Sequence, residues 1–371
     1  MLRILHTGDL HLGAPLHALA PRAAALLRER QMAALEALLQ KAALWGAELV
    51  LMAGDCFDGS TPAEDDLRRF FGMLARCGLP VVISPGNHDP YVSGGIYDAL
   101  PPNVYVFREA ATAFFEFPAL KTRVYGYAFT SDAHAAPRLP EQAELSGEYT
   151  NILVAHADIT APTSPYAPIG AAQLAASGLT FAALGHIHKP MPTRRFGDTV
   201  AAYCGFFAGR GFDELGAGHA NFVEIDGNRV KITPIETNAD RFFIHTLDCT
   251  GAVDGESVRL AADKALCQAA YPAGSAVRLQ LVGEVGAKCT PNMTALQCLG
   301  EGFALFEVRD DTLPLYDTAY LLQDPGLCGA FYRALLPRLQ QGSEAEQRVA
   351  AKALRLGMAA LAGREVRYEA D

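Results

Sequence analysis

The sequence predicts an α/β fold with a largely parallel sheet, followed by a smaller α+β domain of βαββ-like order. Apolar runs of strand length alternate with helical patterns through the first half, and this βαβαβ rhythm implies right-handed crossovers. At 371 residues the chain exceeds what one core usually holds. After residue 240 the alternation gives way to a different order that ends in two helices.

Residues 2–5 form the first apolar run, which leads into Thr7-Gly8-Asp9. An Ala/Leu-rich helix spans 22–44 and stops near Gly46. A strand over 48–53 ends at Gly54-Asp55, a helix covers 63–77, and a strand over 80–84 ends at Gly86-Asn87-His88. Short alternating segments between 103 and 129 read as strands joined by tight turns. Residues 151–155 make an apolar strand ending at His156. The segment 170–177 is helical, and 180–184 is a strand ending at Gly185-His186. Strands over 199–203, 220–225 and 229–234 close the first domain, 1–240. The second, 241–371, carries a strand (242–247), a helix (256–270), two strands (276–282 and 303–308) and helices over 324–340 and 343–361. Pro337 is expected to kink or shorten the first of these helices.

Half of the residues are hydrophobic and 19% are charged, which excludes wholesale disorder. The formal net charge is −10, so a polyanionic substrate would need local basic patches, bound cations or a partner to attract it. Eight cysteines are scattered without a C-x-x-C pair, which gives neither a disulfide framework nor a zinc knuckle. The N-terminus enters an apolar strand at once and shows no signal-peptide pattern. No stretch approaches the ~20 apolar residues of a membrane span. A cytoplasmic protein without membrane attachment is expected.

Five strand ends deliver metal-ligand side chains: Asp9-x-His11, Gly54-Asp55-x-x-Asp58, Gly86-Asn87-His88-Asp89, His156 and Gly185-His186-x-His188. In open α/β sheets the carboxyl ends of strands converge on one crevice, so residues far apart in sequence can meet there. Taken singly, each motif is ordinary turn chemistry. Their joint occurrence in this order, each after an apolar strand, points to one site. Carboxylate, imidazole and amide oxygen suit Mn²⁺, Fe²⁺ or Zn²⁺. Seven ligands (Asp9, His11, Asp55, Asn87, His156, His186 and His188) are too many for one ion that keeps an open position. They suit two ions sharing Asp55, the arrangement that stabilises attacking and leaving oxygens in phosphoryl transfer. Cys56 is expected to point away from this site if its segment stays extended.

The motif order resembles the calcineurin-like metallophosphoesterase superfamily. Within it, His6-Thr7-Gly8-Asp9-Leu10-His11-Leu12-Gly13 and Ala53-Gly54-Asp55-Cys56-Phe57-Asp58 are similar to the SbcD-like nucleases of DNA double-strand-break repair. Tyr203-Cys204-Gly205 and Gly209-Arg210-Gly211-Phe212-Asp213-Glu214 fall where that family has a Tyr-Pro-Gly loop and a similar turn, with Cys204 in place of the proline. The likeness covers residues 1–234 and extends to the rest only by layout. It implies a metallophosphoesterase β-sandwich flanked by helices, with 241–371 as a capping domain over the metal site. Carried over by motif, Asp9, His11 and His188 would hold one ion, Asn87, His156 and His186 the other, and Asp55 would bridge. His88 would serve as the acid at the leaving oxygen, oriented by Asp58.

The resemblance further implies a Mn²⁺-dependent DNA nuclease, with Fe or Zn as alternative metals. It would be a 3′→5′ exonuclease on duplex ends and an endonuclease on single strands. An SbcC-like coiled-coil ATPase and a second copy of the chain would be its partners. The same dinuclear site also fits a small-molecule or phosphoprotein phosphoesterase, and a DNA-end tether with a vestigial site is a third alternative. His6 reads as a packed core or outer-shell histidine, and His134, His219 and His245 as surface or loop residues. Arg194, Arg195 and Arg210 suit either a phosphate backbone or solvent. Tyr91 and Ser93-Gly94-Gly95 suit a rim of the site or an ordinary loop. Apolar stripes on the last two helices (Phe331, Leu335, Leu336, Leu339; Ala350, Leu354, Met358, Leu361) fit packing within their own domain or docking on a coiled coil.

Overall fold

The computed structural model of the chain describes residues 1–16, 19–59, 61–189, 191–237, 241–286 and 289–361. It divides into two compact units, Met1–Phe243 and Ile244–Asp371. The expected domain boundary after residue 240 falls on 238–240, outside the described residues, as does the C-terminal stretch 362–371.

The first unit opens with β1 (Leu2–Thr7), α1 (Pro21–Trp45), β2 (Leu49–Met52), α2 (Glu64–Cys77) and β3 (Val81–Ile83). It continues through β4 (Val104–Val106), β5 (Ala113–Phe117), β6 (Thr122–Gly126), β7 (Thr150–His156), α3 (Ala171–Ser177) and β8 (Phe181–Gly185). It closes with β9 (Arg194–Phe196), β10 (Thr199–Tyr203), β11 (His219–Asp226) and β12 (Arg229–Glu236). These strands form two six-stranded sheets, ordered β12-β11-β1-β2-β3-β4 and β5-β6-β7-β8-β10-β9. Strands β1 to β4 are mutually parallel, as are β6, β7, β8 and β10, and the remaining pairings at the edges are antiparallel.

Alternation along the strands turns these sheets into a sandwich. Ile4, Leu49, Leu51 and Val82 of one sheet share a cluster with Ile152, Val154, Phe181 and Ala183 of the other. Their neighbours Leu5, Val50, Met52 and Ile83 face the opposite way, against Leu35, Leu38 and Leu39 of α1 and Phe70 and Leu74 of α2. On the far side Leu153, Ala155, Ala182 and Leu184 meet Leu174 of α3. Strands covered on both faces need apolar residues at every position, which is why β2, β3 and β8 read as unbroken hydrophobic runs. Helix α1 ends where Gly46 adopts a left-handed φ of 84°.

The second unit begins within β13 (Phe242–Asp248) and carries α4 (Gly255–Ala269), β14 (Ala276–Val282), β15 (Glu284–Val285), α5 (Met293–Gln297), β16 (Leu305–Asp310) and β17 (Leu313–Pro314). Helices α6 (Thr318–Gln323), α7 (Leu327–Gln341) and α8 (Glu344–Leu361) follow. Its sheet runs β13-β14-β16, with β14 and β16 parallel. Asp254 starts α4 by accepting the Ser257 N–H at 2.8 Å. Helix α7 continues through Pro337 rather than stopping there. The apolar stripes of α7 and α8 pack on one another: Leu321, Tyr332 and Leu354 are buried, with Phe331, Leu335, Leu336, Leu339 and Met358 partly so. A Cβ on Gly357 would lie 2.3 Å from the Phe331 ring, so the absent side chain makes room for it. No described helix is long and apolar enough to cross a membrane.

Candidate metal centre

The parallel strands β1, β2, β3, β7 and β8 all end on the same edge of the sandwich, and the last residue of β7 and the loops beyond the other strands carry the nine residues singled out for chemistry. The loops after β1 and β2 run side by side: Asp9 N–H donates to Gly54 O, His11 N–H to Asp55 O and Leu12 N–H to Cys56 O, each at 2.9 Å. Within this ladder Asp9, His11 and Asp55 hold left-handed φ values of 48°, 47° and 49°, and His186 one of 98°. Such backbone costs about 1–3 kcal/mol at each non-glycine residue and persists only where surroundings enforce it. The left-handed turn at Asp55 corrects the extended reading of this segment. Cys56 does leave the site, buried in the cluster beneath α1 and α2.

Close approach explains two of the glycines. A Cβ on Gly86 would stand 2.1 Å from Asp55 Oδ1, and one on Gly185 would stand 2.0 Å from Ala53 O. Asp89, the last residue of the G-N-H-D motif, is fully buried and staples the loops after β2 and β3. Its carboxylate accepts from the N–H groups of Asp55 (3.1 Å), Cys56 (2.6 Å), Phe57 (3.2 Å) and Gly86 (2.8 Å), and from Tyr97 Oη (2.5 Å). Burial and the nearby Asp55 push its pKa upward, and the hydrogen bonds from Tyr97 and Gly86 oppose that.

Three of the candidate ligand imidazoles are oriented by a protein acceptor at one nitrogen. His11 Nδ1 donates to Asp58 Oδ1 at 3.0 Å, His188 Nδ1 to Glu214 Oε1 at 2.6 Å and His156 Nδ1 to Ala53 O at 2.9 Å. The three Nε2 atoms are thereby turned toward the carboxylates. His11 Nε2 lies 3.2 Å from His188 Nε2 and 3.6 Å from Asp55 Oδ2. His188 Nε2 is 3.6 Å from Asp9 Oδ1. His156 Nε2 is 3.4 Å from Asp55 Oδ2 and 3.0 Å from Asn87 Oδ1. Asp55 Oδ2 thus stands between the His11 and His156 rings. Its other oxygen accepts the His88 N–H at 2.9 Å.

The imidazole nitrogens and carboxylate oxygens gathered here could hold a metal ion. Burial opposes charge on Asp9, yet His188, His156 and His11 hold its carboxyl well below the ordinary range. His188 is disfavoured as a cation by burial, but Asp9 and Glu214 outweigh that and bring its pKa up to about 10. Asp9, His11 and His188 form one ligand group, and Asp9, Asp55 and His156 another. His186 joins through its backbone N–H, 3.0 Å from both Asp9 oxygens, and its ring lies 5.1 Å from that of His156. Burial, then the neighbouring His156, lower its pKa to about 4, so the ring keeps a free lone pair.

His11, Asp58 and His88 form a third group, and here the chemistry differs. Asp58 Oδ1 lies 3.1 Å from His88 Nδ1 and 3.4 Å from Arg210 Nη1, so it is already supplied with donors. The hydrogen bonds from His11 and His88 hold the Asp58 carboxyl far below its ordinary pKa. The same bond raises that of His88, whose side chain is 45% exposed. Sequence reasoning missed Glu214 as the partner of His188. Its only trace was the position of the Gly209–Glu214 turn.

The calcineurin-like phosphoesterase profile matches residues 2–190 of the 371. The chain belongs to the calcineurin-like phosphoesterase family. YhaO, an uncharacterized metallophosphoesterase of Bacillus subtilis (strain 168), is 28% identical over 201 residues, covering 51% of this chain and 49% of YhaO. The DNA double-strand break repair protein Mre11 of Aeropyrum pernix is 26% identical over 255 residues, covering 62% of this chain and 59% of Mre11. The match therefore spans less than two thirds of either relative.

Other singled-out residues of this calcineurin-like chain are placed as follows. His6 is fully buried: Nε2 donates to Leu184 O at 3.1 Å, Nδ1 lies 3.3 Å from Asn221 Nδ2, and burial lowers its pKa to about 4. His134 is buried rather than on the surface, because Nε2 reaches Ala110 O at 3.0 Å and the ring lies against Tyr127 and Phe129. His219 opens β11 half-buried, and His245 bonds Tyr271 Oη through Nδ1 at 2.8 Å. Arg194 and Arg195 are exposed on β9. Tyr91 and the turn after it are tied to Asp98 through Tyr91 Oη (3.1 Å) and the Gly94 N–H. Cys204 N–H donates to Leu184 O at 3.2 Å, a bond that proline could not make, and its Sγ lies 3.8 Å from Asp9 Oδ2.

Proposed function

We propose that this calcineurin-like phosphoesterase is a Mn²⁺-dependent, SbcD-like DNA nuclease that hydrolyses phosphodiester bonds at a dinuclear site. The observation that carries the chemistry is the convergence of His11, His188 and His156 Nε2 with the Asp9 and Asp55 carboxylates, each imidazole having committed Nδ1 elsewhere. Asp9, His11 and His188 would hold one ion, Asn87, His156 and His186 the other, and Asp55 would bridge. When bound, two such cations activate water and stabilise the attacking and leaving oxygens. The chain supplies the remainder. His88 donates Nδ1–H to Asp58, which leaves Nε2 at the half-exposed edge to protonate the leaving oxygen. His11, His156 and His188 are held rigid by Asp58, Ala53 O and Glu214, so little reorganisation accompanies the reaction.

DNA as substrate is supported by the similarity to the Aeropyrum Mre11. With a formal charge of −10, affinity for duplex ends would depend on the bound cations and on a basic partner, such as an SbcC-like ATPase or a second copy. The test is incubation of the Mn²⁺-loaded protein with linear duplex and single-stranded DNA, in parallel with cyclic nucleotides and phosphopeptides. Digestion of duplex from the 3′ end is expected. Turnover of the small substrates alone would replace the nuclease reading with a small-molecule or phosphoprotein phosphoesterase.

A further inference from the structure

Arg210 looks at first like a substrate-binding arginine at the mouth of the site, but its donors are already engaged. Nε lies 3.2 and 3.3 Å from the two Glu214 oxygens, and Nη2 lies 2.7 Å from Glu214 Oε1. The Arg210 backbone N–H also donates to Glu214 Oε2 at 2.9 Å. On the other side Nη1 reaches Asp58 Oδ1 at 3.4 Å, and the side chain is only 26% exposed. Two carboxylates therefore share one guanidinium. Each serves a different part of the centre, since Glu214 orients His188 while Asp58 receives His88 and His11.

We propose that Arg210 is a positioning residue that fixes Asp58, and through it His88, in register with the His188 side of the centre. The inference rests on the reading of His88 as the leaving-group acid. Asp58 offers one oxygen, Oδ1, to donors from three separate loops, and a carboxylate shared that way can rotate toward either imidazole. A planar guanidinium spans Asp58 and Glu214 with directed N–H bonds and removes that freedom. A lysine ammonium keeps the charge but lacks the fork. The predicted loss on substitution is thus in turnover at saturating Mn²⁺, where substrate binding and metal stoichiometry are unchanged; Mn²⁺ affinity falls only as far as Glu214, which Arg210 also holds, loosens its grip on His188.

The experiment uses the Mn²⁺-loaded full chain and bis(p-nitrophenyl) phosphate, a phosphodiester that needs no DNA specificity. Arg210→Gln should lower kcat by about 10- to 100-fold, the usual range for an outer-shell partner. KM should hold and bound Mn²⁺ at saturation should stay equal to wild type. Arg210→Lys should recover part of the loss, and it serves as the second variant should the glutamine protein fail to fold. Adding Arg210→Gln to His88→Ala should cost nothing further, because the group it positions is gone. A raised KM at constant kcat would make Arg210 a substrate contact and overturn the proposal. Reduced Mn²⁺ content at saturation, or a full additional loss in the His88→Ala background, would overturn it too. Near-normal turnover of His88→Ala alone would instead reject the acid role of His88 on which the inference depends, and the inference with it.

Discussion

His188 donates Nδ1–H to a carboxylate and His156 donates its own to a backbone carbonyl, so the two rings are held by acceptors of different charge. Glu214→Gln keeps the shape but removes the charge behind His188, and should weaken Mn²⁺ binding by about 10- to 100-fold in a direct titration. An unchanged Mn²⁺ affinity would deny Glu214 that role. His6 gives a pH signature of another kind. Its pKa falls from 6.5 to about 4 on burial, so the folded protein keeps it neutral where the unfolded chain binds a proton. Stability should therefore drop as pH falls from 6.5 toward 4, by up to ~3 kcal/mol from this group. Urea denaturation of His6→Gln should lack that component, and an equally steep acid loss in the variant would refute it. The candidate ligands were legible in sequence because each follows an apolar strand in a short motif. Their partners were not. Glu214 stands 26 residues from His188, and a carboxylate that serves a distant imidazole leaves no spacing signal. The burial of His134 was not legible for a related reason: it depends on Tyr127, Phe129 and the Ala110 carbonyl, none of them its sequence neighbours.

The loops are organised in pairs. Asp89 and Tyr97 close the loops after β2 and β3 around one buried carboxylate, which places Asp55 and Asn87 together before any ion arrives. Asp89→Asn removes the charge that four backbone N–H groups address, and its own NH₂ meets donors instead of acceptors. A loss of about 2–4 kcal/mol is expected, with weakened Mn²⁺ binding, as read by thermal denaturation and metal titration. A variant that melts like wild type would leave the motif's last residue without a structural role. Long elements were readable from pattern, α1 and α4 among them. Short ones such as α5, α6 and β17 were not, since two to six residues give no period to detect and tertiary contacts decide them.

At the scale of the whole molecule, charge couples the fold to its ligands. The chain is acidic overall, and its candidate centre gathers carboxylates and imidazoles that could hold a cation. Mn²⁺ should therefore stabilise the protein, by about 2.7 kcal/mol at a hundredfold excess over Kd, and a chelator should reverse the effect. Asp55→Asn should blunt this response. A melting temperature indifferent to Mn²⁺ and chelator would mean that the cluster does not bind the ion. The parallel strands inside both sheets were legible in the βαβαβ rhythm of the first half. The antiparallel strands at the edges of both sheets were not, because neighbour order depends on contacts between elements far apart in sequence.

The left-handed backbone at Asp9, His11, Asp55 and His186 bears on how such a chain can change over generations. At these four positions the fold alone would favour glycine, while the chemistry demands a carboxylate or an imidazole. A lineage released from any need for turnover would drift there first and become sturdier as it lost the centre. Glycine at any of the four would relieve the backbone while removing a side chain on which the proposed centre depends.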